Sequence, residues 1–111
     1  MNYFLVMLGG ALGSLLRYIV GNAVLRHFPT RFPLATLVVN TTGCFLIGAI
    51  MPMVAHKQSW RLLLIAGFLG GYTTFSAFAY ETYVSRPWLG LLNVMASVAL
   101  GYFAVWLGAR R

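Results

Sequence analysis

The stretch Gly67-Phe68-Leu69-Gly70-Gly71-Tyr72-Thr73-Thr74-Phe75-Ser76-Ala77-Phe78-Ala79-Tyr80-Glu81 decides how the rest of the chain is read. It lies in the third of four apolar segments, and its pattern predicts a helix broken in mid-membrane. A glycine costs a helix interior about 1 kcal/mol relative to alanine, and two adjacent β-branched threonines add to that cost. In hydrocarbon, backbone groups freed by a break must find partners inside the protein or line a wet cavity. The segment is therefore expected to bind something.

The composition outside this stretch sets the surroundings. Of 111 residues, 60% are hydrophobic, and eight Lys and Arg stand against the single acid Glu81. A soluble domain of this length needs more polar surface, so the excess apolar area has to face lipid or a second chain. Residues 1–111 are read as a single membrane domain. The formal net charge of +7 invites a nucleic-acid reading, but the basic residues are scattered at segment ends and not clustered on one face, which suits headgroup anchoring better. No nucleic-acid partner is expected. The N-terminus enters an apolar run without a basic leader, so a removable signal peptide is not expected. Cys44 stands alone, which excludes an internal disulfide and leaves it the role of a small packing residue.

Four spans follow from the pattern: Tyr3 to Val24, Leu34 to Val54 with Pro52 closing it, Trp60 or Arg61 to Val84, and Trp88 to Leu107. About 20 helical residues cross a hydrocarbon core roughly 30 Å thick. Gly9, Gly10, Gly13 and Ser14 in the first span are spaced for close helix approach. Trp60, Trp88 and Trp106 lie near span ends, where aromatic belts form. Arg17, Arg26, Arg31 and Arg86 fall on one side of the membrane, and Lys57, Arg61, Arg110 and Arg111 on the other. This balance gives no preferred orientation under the positive-inside rule. It predicts that both orientations insert and pair as an antiparallel, dual-topology homodimer with two-fold symmetry.

The polar residues within the spans, Asn40, Thr41, Thr42, Thr73, Thr74, Ser76, Asn93 and Ser97, are neutral groups able to donate hydrogen bonds. A carboxylate in mid-membrane, the usual mark of a proton relay, is missing, since Glu81 lies toward the end of the third span. A neutral donor lining suits an anion. Phe75 and Phe78 share a helical face with Thr74 nearby, and they either offer positive ring edges to an anion or pack against lipid and helices. Asn40 either donates to an ion or joins two helices. The carbonyls of Gly70 and Thr73 flank the break and either coordinate a hard cation such as Na⁺ or belong to a kink that binds nothing. Arg17 reaches a headgroup or forms an anion-attracting vestibule. Glu81 is expected to pair with a neighbouring arginine or polar group. His27 and His56 have no second ligand near them in sequence, and no metal site is expected there.

Together these residues resemble the CrcB/Fluc family of fluoride channels. The resemblance is carried by Gly70-Gly71-Tyr72-Thr73-Thr74-Phe75-Ser76 with Phe78 and Glu81, by Gly9-Gly10 with Gly13 and Arg17-Tyr18, and by Thr36-Leu37 with Asn40, Gly43, Phe45 and Gly48. It covers all four segments in order. It implies an antiparallel homodimer in the bacterial plasma membrane, with two fluoride pathways and a structural Na⁺ at the dimer centre. On that resemblance the Gly70 and Thr73 carbonyls of both subunits hold the Na⁺, and Phe75 and Phe78 flank the fluoride path. Asn40 donates to the ion, Thr74 and Ser76 are polar neighbours, and Arg17 stands near the vestibule. Ala77 replaces a hydroxyl residue common in the family, and only Asn93 and Ser97 match loosely in the fourth span. The implied activity is conduction, not catalysis. A small multidrug-type, proton-coupled exporter is the alternative, but it needs a glutamate in the first span, which this chain lacks. A purely structural membrane subunit is a third reading.

Overall fold

The computed structural model describes residues 1–110 and is all-helical. Arg111, counted above among the basic tail residues, lies outside the described residues. Helix α1 covers Asn2–His27 and α2 covers Leu34–Val54. Helix α3, residues 58–72, begins with one turn at Gln58–Trp60, continues as a π-helical stretch over Arg61–Leu69 and closes with a turn at Gly70–Tyr72. Helix α4 covers Phe75–Val84 and α5 covers Pro87–Ala109. Counting α3 and α4 as one span, four helical segments of 21 to 27 residues are long and apolar enough to cross a membrane. The first and fourth spans run slightly beyond the expected ends, the third starts at Gln58, and the second has the expected bounds. Pro52 sits inside the last turn of α2 and does not close it.

Two helix pairs build the chain. In the first, α1 lies against α3 with backbone touching backbone. A Cβ on Gly9 would strike the Leu63 carbonyl, one on Gly13 the Phe68 carbonyl, and one on Gly71 the Gly10 carbonyl at 2.6 Å. Such contact is available only to residues without side chains, and it replaces the hydrophobic drive that lipid removes. In the second pair, α2 meets α5 in the same way, with Gly48 against the Val105 carbonyl and Gly108 against that of Phe45. Cys44 packs here, its Sγ 3.4 Å from where a Gly101 Cβ would lie. The buried apolar core is small, comprising Leu37, Val39, Val54, Leu69, Tyr72 and Ala104, while large side chains such as Leu15, Ile19, Leu91, Val98 and Phe103 point outward. Trp60, Trp88 and Trp106 are all more than half exposed. This inverted distribution is that of a chain solvated by hydrocarbon.

Helix ends meet their hydrogen-bonding needs locally. His27 Nδ1 lies 2.8 Å from the Ala23 carbonyl, and with Arg26 it places basic groups at the negative end of α1. Arg61 Nη1 donates to the Ala55 carbonyl just past α2 at 3.0 Å. Pro87 occupies the first position of α5, where its missing N–H costs nothing. The π-helical stretch is unforeseen by the sequence, and no side-chain contact explains it. Its i→i+5 pattern is visible where the Gly70 N–H reaches back to the Ile65 carbonyl.

Candidate functional site

The connection between α3 and α4 is two residues long. Thr73 (φ −86°, ψ 158°) and Thr74 (φ −150°, ψ 115°) are both extended. Gly70 and Gly71 are helical, and no glycine in the described residues takes a positive φ. The glycine pair thus serves close packing on α1, and the departure from helix falls on the threonines. Gly43 of α2 makes room for it, since a Cβ there would strike the Thr73 methyl group and lie 3.4 Å from the Tyr72 ring.

Side chains from three directions hold the extended residues. The Asn40 carboxamide pairs with the Thr74 peptide, Nδ2 donating to the Thr74 carbonyl at 3.0 Å and Oδ1 accepting the Thr74 N–H at 2.8 Å. Thr74 in turn caps α4, its Oγ1 accepting the Ala77 N–H at 3.2 Å. Ser76 Oγ lies 3.3 Å from the same Thr74 hydroxyl. Arg17, half-buried on α1, donates from Nε to the Gly71 carbonyl at 3.1 Å. Tyr72 is buried, and its hydroxyl lies 2.8 Å from Thr42 Oγ1.

These bonds determine which carbonyls are left over. In an unbroken helix Thr74 N–H would serve the Gly70 carbonyl and Ala77 N–H that of Thr73. Both donors are diverted, the first to Asn40 and the second to the Thr74 hydroxyl. The Gly70 and Thr73 carbonyls therefore lose their helical partners together. Both residues line a groove of about 480 Å³ with Asn40, Thr74, Phe75, Phe78 and Ser97. The Phe75 and Phe78 rings lie 5.5 Å apart at 49°, Phe75 being 78% exposed. On α2 the groove takes Asn40, Gly43, Cys44 and Ile47, a stripe at helical spacing.

Of the residues singled out from the sequence, Asn40, Gly70, Thr73, Thr74, Phe75 and Phe78 share this groove. Ser76 is exposed at the start of α4 and touches the groove only through Thr74. Arg17 faces a separate cavity of about 90 Å³ with Gly21, Thr36, Thr74 and Ala77. It is bonded inward to α3. Glu81 departs from the expected pairing. Its Oε1 is buried without a hydrogen-bond partner, and no ion pair forms to it among the described residues. Three participants were not anticipated in their roles. Thr42 and Thr82 back-bond to carbonyls of their own helices, and the fully buried Asn93 donates to Thr82 Oγ1 at 2.9 Å. The i, i+4 spacing of Phe78 and Thr82 was the available signal for one of them.

The sequence that builds this geometry matches known proteins. A family described as "CrcB-like protein, Camphor Resistance (CrcB)" matches residues 4–109. The chain belongs to this family. A relative from Solibacter usitatus, "Fluoride-specific ion channel FluC", is 50% identical over 98% of this chain and 96% of its own length. Proteins of the same name from Acidobacterium capsulatum and Coxiella burnetii are 47% and 41% identical, each over 97% of this chain and over 93% and 94% of their own lengths. The similarity to these CrcB-like relatives runs through all four spans, so the groove and the helix pairs that hold it fall within the aligned region.

Proposed function

We propose that this multi-pass membrane protein is a fluoride-selective channel in the bacterial plasma membrane, passively exporting cytoplasmic fluoride and so lowering its toxicity. The observation that carries the proposal is the groove at Thr73-Thr74, where an amide, hydroxyls and a tilted aromatic pair meet beside a helix start. The similarity to proteins named as fluoride-specific channels supports the choice of anion. Asn40 Nδ2 carries two protons and spends one on Thr74, leaving a second N–H for an ion. The ring edges of Phe75 and Phe78 and the leading N–H dipoles of α4 add positive potential on the same side. Thr74 and Ser76 supply hydroxyls, and Arg17 raises the local concentration of anions near the entrance. Fluoride is small and tightly hydrated, so a relay of such contacts has to replace water without binding too firmly. HF enters cells uncharged and dissociates, and the negative interior then drives the anion outward through the channel.

The break in the third span lies in mid-membrane on this reading, and the active unit is an antiparallel, dual-topology homodimer. The even distribution of basic residues between the two ends and the outward-facing apolar side chains support that assembly. The two carbonyls that lose their helical donors, Gly70 and Thr73, are hard oxygen ligands of the kind Na⁺ prefers. One chain offers two, and a second copy related by two-fold symmetry completes a set of four. Bound there, Na⁺ supplies a fixed structural charge.

The test is efflux from liposomes holding the purified protein, with a potassium ionophore to balance charge. Rapid fluoride loss without chloride loss is expected. Well-folded protein that releases no fluoride overturns the proposal, and proton exchange driven by cationic drugs would then support the multidrug-type alternative.

A further inference from the structure

Helix α4 carries both phenylalanines, yet none of its residues is fully buried. What holds it to α5 is a directed chain of hydrogen bonds. Thr82 Oγ1 lies 2.8 Å from the Phe78 carbonyl and can only donate to it, and a hydroxyl has one proton. Thr82 must therefore accept from Asn93 Nδ2, at 2.9 Å. Asn93 Oδ1 accepts from Ser97 Oγ at a longer 3.4 Å. Asn93 is 2% exposed, and these two bonds satisfy both ends of a carboxamide that would otherwise be costly to bury. Gly90, three residues before Asn93 on the same face of α5, permits the approach, since a Cβ there would lie 3.0 Å from the Thr82 carbonyl.

Phe75, Phe78 and Thr82 stand at i, i+3 and i+7, one stripe of α4. The Asn93–Thr82 bond is the one side-chain hydrogen bond between α4 and α5 among the described residues. Fixing Thr82 fixes the rotation of α4 about its own axis. We propose that Asn93 is a positioning residue for the aromatic pair, setting through Thr82 the angle at which Phe75 and Phe78 meet the groove. Its consequence for conduction rests on the channel reading above; its structural content does not.

The experiment uses full-length protein in liposomes with 4-fluorophenylalanine at position 78, observed by ¹⁹F NMR, alongside fluoride and chloride efflux. Position 4, on α1, carries the control label. Asn93→Leu and the milder Thr82→Val should each shift or broaden the position-78 resonance and leave position 4 unchanged. Each should slow fluoride efflux about tenfold and lower the fluoride-to-chloride ratio, as expected for misplaced contact groups. The double variant should be no worse than either single one, because both cut the same chain. Thr82→Ser, which keeps the hydroxyl, should behave as the unmodified protein. An unchanged resonance in assembled Thr82→Val protein, or fully additive effects, overturns the inference. A protein that passes no fluoride but whose position-78 label still responds to Asn93→Leu overturns the channel reading and supports the positioning role.

Discussion

The two halves of the third span are held in opposite ways. Helix α3 buries Gly67, Leu69 and Tyr72, presses its backbone on α1 and is tied by Arg17 and Thr42. Helix α4 buries no residue fully and is fastened by its Thr74 cap and by Thr82 to Asn93. One half is anchored by close packing that leaves no room for an added carbon at Gly67 or Gly71. The other is steered by a few hydrogen bonds and leaves Phe75 largely exposed. The difference bears on the proposed conduction path, which would draw on both halves. A rigid half presents fixed carbonyls, and a lightly held half presents the rings, with Asn40 joining them at Thr74.

The hardest way to break this contrast is to push α1 off α3. Gly13→Leu places carbon where the Phe68 carbonyl and the Tyr72 N–H lie. No rotamer relieves a clash with backbone, so a loss of about 3 kcal/mol is expected, at the upper end for overpacking. The measurement is the yield of monodisperse protein in detergent, which should collapse. Gly21→Ala, where a Cβ meets nothing within 4 Å, should leave it unchanged.

Asn40→Leu attacks the joint between the halves. It removes both bonds to the Thr74 peptide and leaves that N–H and C=O without partners, a cost of about 1–3 kcal/mol for each orphaned group. The freed N–H can then return to Gly70, restoring helix and withdrawing a carbonyl from the groove. Fluoride efflux should fall to the background of empty liposomes, and Asn40→Asp, which keeps the acceptor but loses the donor, should not rescue it. A variant that conducts normally would show that α3 and α4 hold their break without Asn40.

How far the sequence alone reached can be judged from this same joint. The four spans were legible because each needs only an apolar run of sufficient length. Among the groove residues, Asn40 and the threonines were legible because polar groups are out of place in hydrocarbon, and Phe75 and Phe78 only because helical spacing sets them on one face beside Thr74. The clamp itself was hidden, since Asn40 and Thr74 are 34 positions apart and nothing local ties a carboxamide to a distant peptide. Arg17 presents the same difficulty, its partner Gly71 lying 54 positions away. Propensity alone places the glycine pair in the break together with the threonines, whereas packing of Gly71 on Gly10 keeps the pair helical. Tertiary contact overrode propensity there, and the π-helical stretch left no mark in the residue pattern.

On the lightly held side, Thr74→Val deletes the cap of α4 and returns the Ala77 N–H to competition for the Thr73 carbonyl. The loss should be about 1 kcal/mol, as for other N-caps. Efflux should slow several-fold, and Thr74→Ser should restore it. Equal efflux in the valine variant would mean that the Asn40 clamp alone defines where α4 starts.

The smallest effect belongs to the anchored side and has a direction that can be worked out. Thr42 Oγ1 lies 2.8 Å from the Val38 carbonyl and 3.0 Å from that of Val39, so its one proton is committed within α2. Tyr72 must then be the donor in the hydroxyl pair. Tyr72→Phe removes that donor and leaves Thr42 bonded to its own helix, at a cost of about 0.5 kcal/mol, the low end for a hydrogen bond. Thr42→Val instead leaves the buried Tyr72 hydroxyl with nothing to accept its proton, and should cost about 1 kcal/mol. Thermal unfolding of the two variants in detergent should therefore rank Thr42→Val below Tyr72→Phe, with the double variant close to Tyr72→Phe. The reverse order would mean that Thr42 donates to Tyr72, and that α2 and α3 are coupled more strongly than α2 is to itself.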